Sequence, residues 1–161
     1  MLILLLFIPL VFFGQTVEEY LQSGDAKAFA KDYKGAINDY TEAIELNPNY
    51  AVAYYNRGAS KADLKDHNGA ISDYTKAIQI NPNFAIAYSN RGSAKNDLKD
   101  DYGAISDFTK AIEINSNFAD AYYNRAISKY YINDLKGACE DAKKSASLGI
   151  DASPLIQDAC N

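Results

Sequence analysis

The chain has 161 residues, enough for one domain with a real core, and its 48% hydrophobic content fits an ordinary soluble protein. Sixteen basic residues stand against 21 acidic ones, a net charge of −5, which repels phosphate backbones and anionic lipid headgroups. Nucleic acid is thereby disfavoured as a partner, and the thirteen Tyr, with no Trp, are first explained as packing.

The chain begins with an unbroken apolar run, Leu2 to Phe13, followed by Gly14 and a polar, helix-compatible sequence. As a helix, these residues would cover about 18 Å, short of the roughly 30 Å hydrocarbon core of a bilayer. Residues 1–14 therefore read as a signal peptide, implying export to a periplasmic, envelope-associated or secreted setting with no stable membrane span after cleavage. No Lys or Arg precedes the run. A short membrane anchor, or an N-terminal helix packed on the rest of the chain, remains open.

Beyond it the chain repeats itself. "AYYNRGASK" from Ala53 returns as "AYSNRGSAK" at Ala87 and as "AYYNRAISK" at Ala121, 34 residues apart each time. On that period residues 17–152 divide into four units, 17–50, 51–84, 85–118 and 119–152. Each unit predicts two helices. In the second, Tyr54, Gly58 and Lys61 share one face, "LKDHN" interrupts, and Ala70, Ile71, Tyr74, Ala77 and Ile78 make a second apolar stripe. Asp32, Asp66, Asp100 and Asp134 recur where a side-chain oxygen can cap the opening amides of the second helix. "NPN" at Asn47 and Asn81 closes that helix, because Pro cannot continue it.

This pattern resembles the tetratricopeptide repeat family. Its signature is met by Tyr54, Gly58, Ala70, Tyr74, Ala77 and Pro82 in the second unit and by Tyr20, Gly24, Ala36, Tyr40, Ala43 and Pro48 in the first. The third has Tyr88, Gly92, Ala104, Phe108 and Ala111 but Ser116 in place of Pro. The fourth keeps Tyr122 and Ala138 while carrying Ala142 and Ser145 where the others have an aromatic and Ala. The resemblance implies an all-α, right-handed superhelical solenoid of antiparallel helix pairs. A degenerate last unit suits the end of an array, and residues 153–161 read as a capping helix, with Ser153 as N-cap, Pro154 at its first position and Leu155 and Ile156 as the covering face.

The sequence offers no catalytic constellation. His67, the single His, falls in a turn and reads as a solvated surface residue; no metal-ligand or cofactor motif accompanies it. Cys139 takes the place of an Ile on the last repeat, and Cys160 lies on the cap that must pack beside it, so the two are a candidate disulfide, with buried free thiols as the alternative. Arg57, Arg91 and Arg125 each follow an Asp by eighteen residues (Asp39, Asp73 and Asp107), which predicts an ion pair from one unit to the next.

The resemblance further implies that the first helices line a concave groove. Its inward positions hold Asn56, Asn90 and Asn124, which form a ladder able to clamp a peptide backbone, or else bond to neighbouring helices. Beside them lie Tyr55, Tyr123, Ile127, Tyr130 and Tyr131, with Asp63, Asp97 and Asp120. No Lys or Arg occupies an inward position, so the acidic chaperone tail bound by some family members is disfavoured. The expected function is a noncatalytic module or scaffold, without cofactor or metal, binding an extended segment of another protein. A glycan-binding groove using the tyrosines, or an architectural spacer that self-associates, are the alternatives.

Overall fold

The computed structural model describes residues 15–160; the apolar run and its signal reading lie outside them. The described residues form nine helices and no strand: α1 (Val17–Phe29), α2 (Tyr33–Leu46), α3 (Ala51–Asp63), α4 (His67–Ile80), α5 (Ala85–Asp97), α6 (Asp101–Ile114), α7 (Ala119–Tyr131), α8 (Leu135–Ser147) and the short α9 (Ser153–Ala159).

The turns between paired helices share one construction. Lys31, Lys65, Lys99 and Asn133 adopt left-handed backbone, φ 63° to 66°, which reverses the chain in a single residue. The next residue is the capping Asp in every case. Its backbone N–H donates to the carbonyl of Lys27, Lys61, Lys95 or Lys129, closing the first helix. Its side chain accepts from Gly35, Gly69, Gly103 or Gly137, opening the second. An added Cβ at that site would press on the cap carboxylate, so glycine there lets the Asp cap without shifting.

The second helices end on Asn47, Asn81 and Asn115, whose side-chain oxygens accept from the amides of Asn49, Asn83 and Asn117 at 3.1 Å. The third unit makes this turn with Ser116 where the others have Pro, so the side-chain turn of Asn suffices to end the helix. At α9 the N-cap is Ala152, one residue before the expected Ser153, which is the first helical residue; its amide donates to Asp151 Oδ1 at 3.1 Å. Leu155 and Ile156 do pack on buried Ala126, Ala142 and Ala152, covering the end of the last pair.

Within each of the first three pairs a large ring fills the gap left by a glycine. Tyr40, Tyr74 and Phe108 are buried against Gly24, Gly58 and Gly92. In the fourth pair buried Ala126 and Ala142 replace glycine and ring. Each helix packs on its sequence neighbours, and α1, α3, α5, α7 and α9 also touch in series, whereas α2, α4, α6 and α8 do not touch one another. The stack therefore curves toward the first helices, and their outward side chains line its concave face. The architecture is an all-α, right-handed superhelical solenoid.

Candidate functional site: the concave face

The concave face is held in shape by polar rungs between helices. Arg57 donates through Nε and Nη2 to both oxygens of Asp73, at 2.9 and 2.7 Å, and Arg91 and Arg125 grip Asp107 and Asp141 in the same way. This corrects the sequence reading. The carboxylate lies sixteen residues after the Arg, within its own helix pair, and not eighteen before it on the preceding one. What crosses between units is the remaining guanidinium nitrogen, Nη1, which donates to Thr41, Thr75 or Thr109 of the preceding unit at 3.0 to 3.1 Å. Each Thr hydroxyl gives its proton to a carbonyl of its own helix, which leaves the oxygen to accept from Arg.

Lys61, Lys95 and Lys129 complete these rungs against the same carboxylates at 2.7 to 2.8 Å. Each Arg also lies over a tyrosine ring of its own helix (Tyr54, Tyr88 or Tyr122), 5.4 to 5.5 Å from the centroid. The first unit has Ser23 at the Arg position, and among the described residues Asp39 pairs with Lys27 alone. The fourth has Lys143 at the Thr position. Arg and Thr thus occur where each can meet the other.

His67 opens α4 with its side chain 17% exposed, and its Nδ1 lies 3.2 Å from Asp97 Oδ2 of the following unit. It is therefore not the solvated turn residue that its isolation suggested. A turn residue in one unit is covered by the first helix of the next.

On the groove itself, Asn56 Nδ2 donates to Asp25 Oδ1 at 3.0 Å, and Asn90 Nδ2 donates to the Tyr55 hydroxyl at 3.1 Å. Asn56 and Asn90 thus each direct an amide proton at the preceding unit, the arrangement expected if these side chains bond to neighbouring helices. Among the described residues the Asn124 side chain makes no such bond. Tyr55 is half-buried between the rings of Tyr74 and Phe84, with centroids 5.8 and 5.1 Å away, and burial raises the pKa of its phenol. It is a wall of the groove rather than an open stacking surface.

Tyr123 is half-buried against the cluster beneath α9, and Ile127 is half-buried, whereas Asp63, Asp97, Asp120, Tyr130 and Tyr131 are exposed. Tyr131 is 67% exposed; its ring meets Tyr130 edge-on at 6.3 Å and lies under Lys99 Nζ at 5.7 Å. The inward helical positions hold no cation, yet Lys99 reaches their rim from its turn.

Two further groove residues escaped the sequence reading. Asp25 accepts from both Asn56 and the Tyr40 hydroxyl, the latter at 2.6 Å, and burial with this carboxylate beside it holds the Tyr40 phenol well above its usual range. Phe29, on the last turn of α1, is 93% exposed. Both occupy inward positions in the first unit, so the period that located Asn56 would have found them.

Asp25, Asp63, Asn56, Tyr33, Tyr40, Ser60, Ala28 and Ala59 line a hollow of about 270 Å³ on this face. A larger one, about 380 Å³, lies between α5 and α6 around Tyr88, Arg91, Asp107 and Lys110 and contains none of the groove residues. Arg91 and Asp107 there are already engaged with each other, so the smaller hollow is the better candidate for a ligand.

The described residues hold no group of three or more potential ligands that could bind a metal ion, and no helix long and apolar enough to cross a membrane.

Comparisons with known proteins place this geometry in a family. Two tetratricopeptide repeat profiles match residues 51–84 and 85–118, and a TPR repeat profile matches residues 24–64. A crystal structure of MamA superposes with a TM-score of 0.83 at 28% identity, over 89% of this chain and 80% of that one. The first TPR of Spaghetti (RPAP3), bound to the HSP90 peptide SRMEEVD, gives 0.72 at 25% identity, covering 74% of this chain and 94% of that one. The Arabidopsis OM64 TPR domain gives 0.71 at 31% identity, covering 72% and 96% respectively. No curated protein sequence matches the chain significantly. Repeated signature, stacked helix pairs and shared fold agree: the chain belongs to the tetratricopeptide repeat family.

Proposed function

We propose that this chain is a noncatalytic interaction module that holds an extended segment of another protein along the face of α1, α3, α5 and α7. The observation that carries the reading is the side-chain inventory of that face. Asp63 in the second unit and Asp120, Asn124, Tyr130 and Tyr131 in the fourth lie on it outside the interhelix rungs and the buried core clusters. A rigid stack is ordered on folding, so its partner alone loses freedom on binding, and aligned polar groups and rings are then gained at little further cost. The RPAP3 domain, seen with a peptide, supports a peptide as the class of ligand. The Cys139–Cys160 bridge and the apolar Leu2–Phe13 run support an oxidising, exported setting for that encounter.

The test is selection from a displayed random peptide library, followed by affinity and thermal unfolding of the Asn124→Ala and Tyr131→Ala variants. Asn124 makes no hydrogen bond between units among the described residues, and exposed Tyr131 meets the preceding unit only through Lys99 at the rim, so the expected outcome is weaker binding with the melting temperature nearly unchanged. Each hydrogen bond lost at Asn124 is worth about 0.5 to 1.5 kcal/mol. A failure to enrich any peptide, or enrichment indifferent to both variants, would remove the groove from the function.

A further inference from the structure

The last turns of the four first helices place one residue each at the same register: Phe29, Asp63, Asp97 and Tyr131. All four are exposed. Two aromatics therefore bracket two carboxylates along one edge of the concave face, one residue per unit.

We infer that the segment held there is about ten residues long, with basic side chains at its centre and apolar ones at both ends. This rests on the groove reading above and adds the chemistry of its occupant. First helices about 10 Å apart match about three residues of extended chain per unit at roughly 3.3 Å each. From Phe29 to Tyr131 is three units, or about nine residues, which puts the two central carboxylates near the fourth and seventh positions of the segment.

The charges argue for the sign. Asp39, Asp73, Asp107 and Asp141 are each neutralised by a Lys, and three of them also by an Arg. Asp25 and Asp63 are different. Among the described residues Asp25 accepts only from the neutral donors Tyr40 and Asn56, and no cation pairs with Asp63. Both line the smaller hollow, where Ala28 and Ala59 leave room for an aliphatic stem beneath a charged head. Asp97 faces the His67 ring of the preceding unit, 3.2 Å from its Nδ1. At the far end Lys99 lies over Tyr131, so that site accepts an apolar residue and repels a second cation.

Binding of labelled ten-residue peptides tests this. One carries Leu at both ends and Lys at positions four and seven; in a second the Lys are Glu, and in a third the Leu are Ser. The Lys peptide should bind about tenfold or more tightly than the Glu peptide, with the difference shrinking in salt. Asp63→Asn should cut that preference about three- to tenfold while sparing the Leu dependence. Phe29→Ser and Tyr131→Ser should do the reverse. All three substitutions are at exposed side chains, so folding is not at stake. Equal binding of the Lys and Glu peptides, or an Asp63→Asn variant with an unaltered preference, overturns the inference while peptides from the library still bind the groove. If no peptide of either charge binds and the library yields none, the groove reading fails and this one with it.

Discussion

Gly92→Ala tests whether the solenoid is shaped by glycine facing a ring. A Cβ at position 92 would lie 2.9, 3.0 and 3.2 Å from Phe108 Cε1, Cζ and Cδ1. Carbon atoms pack best at about 3.5 to 4.0 Å. Phe108 is 0% exposed, so the ring cannot relax into solvent, and α5 and α6 must part or the ring must leave its rotamer. Overpacking of this kind costs about 1 to 3 kcal/mol, and the better helix propensity of Ala offsets about 1 kcal/mol. The net loss is about 1 kcal/mol, or about 2 to 4 °C in melting temperature for a chain of this size. The sign should invert once the ring is shortened. Phe108→Leu deletes Cε1 and Cζ, the two nearest atoms, so in that background Gly92→Ala should keep the propensity gain and stabilise by a few tenths to about 1 kcal/mol. Urea unfolding of the four proteins closes the double-mutant cycle. An equal effect of Gly92→Ala in both backgrounds would refute the argument, because the added methyl would then not be meeting the ring. The fourth unit, with Ala126 and Ala142, has already made both changes.

Asp107→Asn withdraws charge from beneath both Arg91 and Lys95, which are mostly buried, and should cost about 3 kcal/mol; Asp39→Asn strands only the more exposed Lys27 and should cost about 1 kcal/mol or less, with equal losses in urea unfolding counting against the rung description. The Cys139–Cys160 bridge closes a separation of 21 residues, so replacing both by Ser should cost roughly 3 kcal/mol. Titration of the unfolded, unreduced protein should find no free thiol, and two thiols would show that the bridge is absent from the native protein.

The fold was legible because it is written repeatedly. The capping Asp residues, the turn-ending Asn residues and the alternation of glycine with Tyr or Phe return on one period, and each needs only local geometry to act. Contacts between units were less legible. Both Asp73 and Asp39 lie on second helices within reach of a hairpin argument for Arg57, and only the packed arrangement assigns the carboxylate to one and leaves Thr41 of the other unit for Nη1. His67 reads as solvated until Asp97, thirty positions on, is seen beside it. The groove followed the same division. The period named the inward positions, but it could not show that Asn56 leans on Asp25 or that Asn90 leans on Tyr55, because those bonds join residues 31 and 35 apart. Nor could it show that Tyr55 is walled in while Tyr131 stands open.

The Arg–Thr bridge gives every interior unit a plug on its first helix and a socket on its second. Ser23 lacks the plug and Lys143 lacks the socket. The units are consequently interchangeable in the middle and not at the ends. A tandem copy of residues 85–118 inserted after Phe118 would offer its Arg to Thr109 and its own Thr to the original Arg125, leaving no guanidinium unmatched. The same copy joined beyond Ala152 would bring its Arg against Lys143. Length can therefore change by whole units without redesigning a junction. Each such step would extend the concave face by one Asn and about 10 Å, or about three residues of whatever it holds.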